Sequence, residues 1–133
     1  MLVREPSHWW GTILDAADPV ELARFYHRLL GWPIVKEGPN WCVVAPEGSN
    51  TYLGFQRSEG YEPPVWPNTN GSQQMMMMHL DLEVGDLAAS VRRAVADGAT
   101  LAAFQPQEKV RVLLDPAGHP FCLYKDDGEQ DEG

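Results

Sequence analysis

Gly11-Thr-Ile-Leu-Asp-Ala-Ala-Asp18, then the helical run Pro19 to Leu30 and Gly31, is the stretch that decides the fold, because the chain repeats it in outline. The second version is His79-Leu-Asp-Leu-Glu-Val-Gly-Asp86, the run Leu87 to Asp97, and Gly98. Leu14 answers Leu82 and Asp18 answers Asp86, about 68 residues on, but little else is identical, so the repeat is one of pattern. Each copy reads as a short strand, an aspartate, one amphipathic helix and a stopping glycine. Fusing two such modules creates a cleft between them, and the residues facing it set the function.

The punctuation of both helices is explicit. Asp18 caps the first, Pro19 suits the first helical position, and Glu21 stands where a capping box places its acid. Leu22, Phe25, Tyr26, Leu29 and Leu30 recur at helical steps as one apolar face, and Gly31 takes the left-handed closing turn. In the second helix Asp86 caps, Leu87, Val91, Ala94 and Val95 form the face, and Gly98 stops it.

Three extended pieces follow each helix. The first set is Trp32 to Lys36, Trp41 to Ala45 and Thr51 to Gln56; the second is Thr100 to Phe104, Val110 to Leu114 and Phe121 to Tyr124. Pro46-Glu-Gly48 and Asp115-Pro-Ala-Gly118 read as turns. The domain runs over 8–126, as module one (8–58), a Pro-, Asn- and Gly-rich linker (59–74) and module two (75–126), before an acidic disordered tail at 127–133. Tyr61 and Trp66 should pack parts of the linker down. Met75 to Met78 reads as the entry of a strand with Met on both faces, or as a soft wall for a ligand or metal.

Composition narrows the classes. The 133 residues suit one domain, 44% of them are hydrophobic, and the net charge is −9. An acidic chain without a Lys/Arg cluster is ill suited to nucleic acid. No apolar run is long enough to span a bilayer, and no secretory signal stands at the start, so no membrane partner and a cytoplasmic location are expected. Cys42 and Cys122 sit singly in apolar runs, which fits a reducing compartment. Gly-x-Ser-x-Gly, phosphate-cradling and Cys-x-x-Cys motifs are absent.

The strand–helix–three-strand order comes with Phe25-Tyr-His-Arg-Leu-Leu-Gly-Trp32, His79-Leu-Asp81 and the hairpin Asp115-Pro-Ala-Gly-His-Pro-Phe121. Together they resemble the glyoxalase/bleomycin-resistance/dioxygenase (vicinal oxygen chelate) superfamily, and within it the small glyoxalase-like domain proteins. The resemblance implies an α+β fold of two βαβββ modules, each an open half-barrel, and a homodimer. It also implies a divalent metal held by His, Gln or Glu at positions that fall here on Gly11, Gly54, His79 and Cys122. Two of those have no side chain, so no metal cofactor is expected; if one were held, His79 and Cys122 would begin the site, with Asp81 as a third donor.

Strand alternation assigns the other cup-facing residues. They are Ile13, Asp15, Tyr52 and Gln56 in module one and Asp81, Glu83 and Tyr124 in module two. With Gly11, Gly54, His79 and Cys122 they form the expected ligand-binding set, and the two glycines should leave open volume. Arg111 is a candidate to neutralise the inward acids. Trp10, Trp41 and Trp66 are flat surfaces for an aromatic ligand, or else core or dimer contacts. Two functions remain open. One is capture of a small organic molecule in the cleft without the usual metal. The other is a lyase, isomerase or dioxygenase-like enzyme with His79, Asp81 and Glu83 as catalytic candidates, or an atypical metal. His119 is expected to be exposed in its turn.

Overall fold

In the first half of the chain β1 (Trp10–Ala16) leads into α1 (Pro19–Leu30), and β2 (Ile34–Glu37), β3 (Trp41–Val44) and β4 (Thr51–Arg57) follow. The second half repeats the order with β5 (Leu80–Glu83), α2 (Leu87–Asp97), β6 (Thr100–Leu101), β7 (Val110–Leu114) and β8 (Pro120–Tyr124). The computed structural model describes residues 2–67, 71 and 74–125; the expected acidic tail at 127–133 lies outside them. The chain divides into two compact units, Met1–Tyr61 and Glu62–Gly133. Each holds one mixed four-stranded sheet, ordered β1-β4-β3-β2 in the first and β5-β8-β7-β6 in the second. The fold is therefore α+β with two βαβββ modules.

The first unit is built around α1. The Asp18 side chain accepts a hydrogen bond from the Glu21 amide at 3.2 Å, and Gly31 closes the helix at φ 72° with its amide on the His27 carbonyl. Leu22, Ala23, Phe25 and Tyr26 are buried against the sheet with Cys42, Val44, Leu53 and Phe55. Tyr26 stacks on Phe55 at 5.5 Å and meets Phe25 edge-on at 4.9 Å. Each such pair adds about 0.5–1.5 kcal/mol beyond area burial. The ion pair of Arg24 with Glu37 ties the exposed side of α1 to β2.

The second unit packs its helix less deeply. Only Ala94 of α2 is fully buried, and Val95, expected on the apolar face, is 45% exposed. One residue is about 100° of helix rotation. The stripe Leu87, Val91, Ala94 therefore carries Val95 round to the rim. Phe121, Leu123 and Leu113 supply the sheet side of this core.

Several strand limits differ from expectation. β6 ends at Leu101 rather than Phe104, because a side chain takes over the pairing. The Gln105 amide donates to the carbonyls of Ala102 and Val112 and accepts from the Val112 amide, all at 2.8–2.9 Å. Pro106, with no N–H, could not have continued the ladder. β2 begins at Ile34, two residues late, with a bulge between Ile34 and Lys36. Part of the expected linker does pack down: Trp66 lies against Phe104 at 5.6 Å, and the Val65 amide bonds the Gln74 carbonyl. Met75 to Met78 lie outside any strand, since β5 starts at Leu80, and Met75, Met77 and Met78 are 56%, 90% and 80% exposed.

Candidate functional site

Cross-strand neighbours share a sheet face, and the register of the first unit lays out the face opposite α1. Gly11 lies beside Tyr52, Ile13 beside Gly54 and Asp15 beside Gln56. Trp41 is opposite Gln56, and Val43 opposite Gly54. Gly54 thus stands in the middle, ringed by Ile13, Val43, Tyr52 and Trp41. Gln56 donates to the Asp15 carboxylate at 2.9 Å, which fixes a polar corner on this face.

The two glycines do not leave the open volume expected of them. A Cβ on Gly11 would meet three atoms of the Tyr52 ring at 2.6–2.7 Å. Such near-equal distances mean that the ring lies flat on the Gly11 backbone. A Cβ on Gly54 would lie 2.3 Å from Trp41 Cη2 and 2.7 Å from Ile13 Cδ1. Absent side chains let neighbouring rings fold down onto the strand, the pairing that rescues glycine in a sheet. The result is an apolar floor rather than a hole. Ile13 stays 40% exposed on it, and Trp9, 56% exposed, tilts toward Tyr52 at 6.3 Å. Nothing in the composition distinguishes a glycine under a ring from one beside a void, so sequence reasoning missed the ring packing. The one available signal was the nearby Trp41 and Tyr52.

In the second unit His79, Asp81 and Cys122 come together. Asp81 is directly opposite Cys122 in the parallel β5–β8 register, and His79 Nε2 is 3.1 Å from Asp81 Oδ1. One donor atom from each of the three lies within 4.8 Å of the others. Burial, the neighbouring Asp81 charge and a hydrogen bond to that carboxylate push the Cys122 thiol up from 9.0 to about 11. Cys122 is therefore a protonated thiol at neutral pH, not an activated nucleophile. Cys42 is buried and also a free thiol, donating to the Gly38 carbonyl at 3.3 Å.

Other expected positions fall differently. Tyr124 and Glu83 are register partners on the His79 side of the sheet, with Val110 opposite Tyr124. Asp15, Asp81 and Glu83 are all exposed, so water can solvate their charge. Arg111 does not join the acids. It is opposite Leu123, on the other face from Cys122, and its guanidinium donates to the carbonyls of Gln107, Glu108 and Val110. His119 is not exposed as expected: its side chain is 19% accessible and its ring donates to the fully buried Asp115 carboxylate at 2.8 Å. Asp115 also accepts from the Ala117 and His119 amides, which makes the pair a staple of the β7–β8 turn. An open groove of about 620 Å³ on the first unit, bounded by Pro6, Trp9, Pro33, Val35, Pro46 and Asn50, contains none of the expected residues. It is too open to solvent to enclose a small ligand.

Comparison with known proteins now decides the family. The glyoxalase-like domain model matches residues 11–124. The chain belongs to the glyoxalase-like domain family. No curated protein matches it, but solved structures do. A glyoxalase/bleomycin resistance protein/dioxygenase family enzyme from Burkholderia phytofirmans PsJN is 22% identical, with TM-score 0.63, over 86% of this chain and 95% of that one. A glyoxalase-related enzyme from Fulvimarina pelagi is 20% identical, with TM-score 0.62, over 87% and 86%. An antibiotic binding protein from Streptomyces sp. CB03234 is 19% identical, with TM-score 0.60, over 96% and 100%. At such identities the likeness is one of fold, and this glyoxalase-like fold hosts both enzymes and a binder.

The superfamily resemblance puts two divalent-ion positions of the first module on Gly11 and Gly54, neither of which carries a donor side chain. The rings of Tyr52 and Trp41 occupy the space over both glycines. A hard or borderline ion needs oxygen or nitrogen donors at about 2–2.5 Å, and at these two positions no side chain supplies one. Among the described residues no helix is long and apolar enough to cross a membrane.

Proposed function

We propose that this glyoxalase-like protein binds a small, flat organic molecule, aromatic or cationic, without the superfamily's divalent chelate. The observation that carries this reading is the floor of Ile13, Trp41 and Tyr52 laid over Gly11 and Gly54, with Asp15 and Gln56 as a polar corner. Indole and phenol faces offer stacking area to a planar ring, and an exposed carboxylate beside them attracts an amine or N–H donor. The antibiotic binding protein of the same fold is a precedent for binding an organic molecule. The proposal includes a homodimer, the assembly open half-barrels of this kind commonly form.

The test is titration with planar aromatic amines, read by tryptophan fluorescence and thermal stability in the presence of chelator. Saturable quenching and stabilisation, reaching about 2.7 kcal/mol at a hundredfold excess over Kd, are expected, and Trp41→Ala should remove both. Quenching that survives Trp41→Ala would refute the site. An acid–base enzyme is the second reading, favoured by the 3.1 Å contact of His79 with Asp81. Turnover of a 2-oxoaldehyde that is abolished by His79→Ala would replace capture with catalysis.

A further inference from the structure

Three donors of different chemistry converge in the second unit, and four thioethers run directly into them. His79, Asp81 and Cys122 present an imidazole nitrogen, a carboxylate oxygen and a sulfur within 4.8 Å of one another. Met75 to Met78 immediately precede His79, and three of the four are exposed although no strand holds them there. Core filling, the ordinary use of methionine, does not account for Met77 and Met78, which are 90% and 80% exposed.

We propose that His79, Cys122 and the Met75–Met78 run form a site for a single soft monovalent cation, copper(I), contained wholly in the second unit. This ion is distinct in charge and in ligands from the divalent ion that the superfamily resemblance implies. Thiolate and thioether sulfur select copper(I), with imidazole as a compatible partner. Zinc asks for four tetrahedral ligands, and thioethers are poor donors to it. Asp81 acts on Cys122 rather than on the metal. The Cys122 S–H bond breaks, the S–Cu bond forms, and the proton leaves to solvent beside Asp81, which lies opposite Cys122 in the register. Copper stays in the +1 state throughout, so no oxidant or reductant is consumed. Exposure of His79 and the methionines leaves the site open to delivery and release of the ion.

The experiment is an anaerobic titration of the full chain with copper(I) held by a coloured chelator, with silver(I) as a redox-inert surrogate. One ion per chain is expected, and Cys122→Ser and His79→Ala should each abolish competition with the chelator. Changing all four methionines to leucine should weaken copper(I) binding but keep the fold, checked by circular dichroism. Asp81→Asn should leave one copper(I) bound per chain, because the carboxylate faces Cys122 and is not one of the ligands. Cys42→Ser should change nothing. Copper(I) binding that survives Cys122→Ser, or that is unaffected by loss of the four methionines, overturns the proposal. So does displacement of copper(I) by equimolar zinc(II).

Discussion

Substituting Gly54 by Ala tests the floor of the first unit at its centre. The Gly54 backbone is not in the left-handed region, so alanine carries no conformational strain and the penalty is purely steric. Its Cβ would lie 2.3 Å from Trp41 Cη2 and 2.7 Å from Ile13 Cδ1, where ordinary contact begins at 3.4 Å. The indole must withdraw by about an ångström or swing off the strand, a displacement of the kind that costs about 1–3 kcal/mol in a packed core. Two effects reduce this. Trp41 is only half-buried and can move toward solvent, and alanine regains about 0.5–1 kcal/mol over glycine within a strand. A net loss of about 1 kcal/mol follows, lowering Tm by roughly 4 °C in a chain of this size. The assay is a thermal melt with near-ultraviolet circular dichroism, run as a double-mutant cycle with Trp41→Leu. With the indole gone, Gly54→Ala should cost nothing or stabilise, giving a coupling of about 1 kcal/mol between the positions. If Gly54→Ala stabilises the parent protein and leaves its tryptophan signal unchanged, the ring does not lie over the strand and the floor is wrong.

Two further outcomes follow from the second unit. The Cys122 thiol titrates at about 11 against 9.0 when unfolded. The folded state therefore favours the protonated form, and this contribution to stability holds below pH 9.0 and is lost as the pH climbs through about 11. Thiolate absorbance in a Cys42→Ala background should show that late inflection, and Asp81→Asn should bring it down; an unshifted inflection would contradict the contact. Asp115→Ala removes the carboxylate that accepts from the Ala117 and His119 amides and the His119 ring. It should destabilise the chain by about 2–3 kcal/mol, read by urea unfolding, and a change under 1 kcal/mol would mean that the turn holds without its staple.

The helices and the strand order were legible because they depend on local chemistry. Asp18 and Asp86 cap where the sequence places a short acceptor before an apolar period, and both accept from the amide three residues on. The face of each first strand was legible too, since alternation has a period of two and the helix buries one side. Limits that depended on a rival partner were not: β6 stopped where the Gln105 amide displaced the strand, an exchange of hydrogen bonds between residues seven apart. Arg111 was misplaced in the same way. Its charge suggested a partner among the inward acids, but the β7–β8 register puts it with Leu123.

Sequence alone determined that this chain is two βαβββ modules, because caps, periods and stopping glycines act over a few residues and need no distant partner. With the superfamily resemblance it also led to the expectation that no donor side chain stands at the first-module metal positions, Gly11 and Gly54. Only the tertiary structure decided what stands at those positions instead. Whether a glycine opens space or seats a ring depends on which side chains the neighbouring strands bring over it, and Tyr52 and Trp41 reach Gly11 and Gly54 only through sheet pairing. The meeting of His79, Asp81 and Cys122 is of the same kind, made by a parallel register between strands some forty residues apart in the chain.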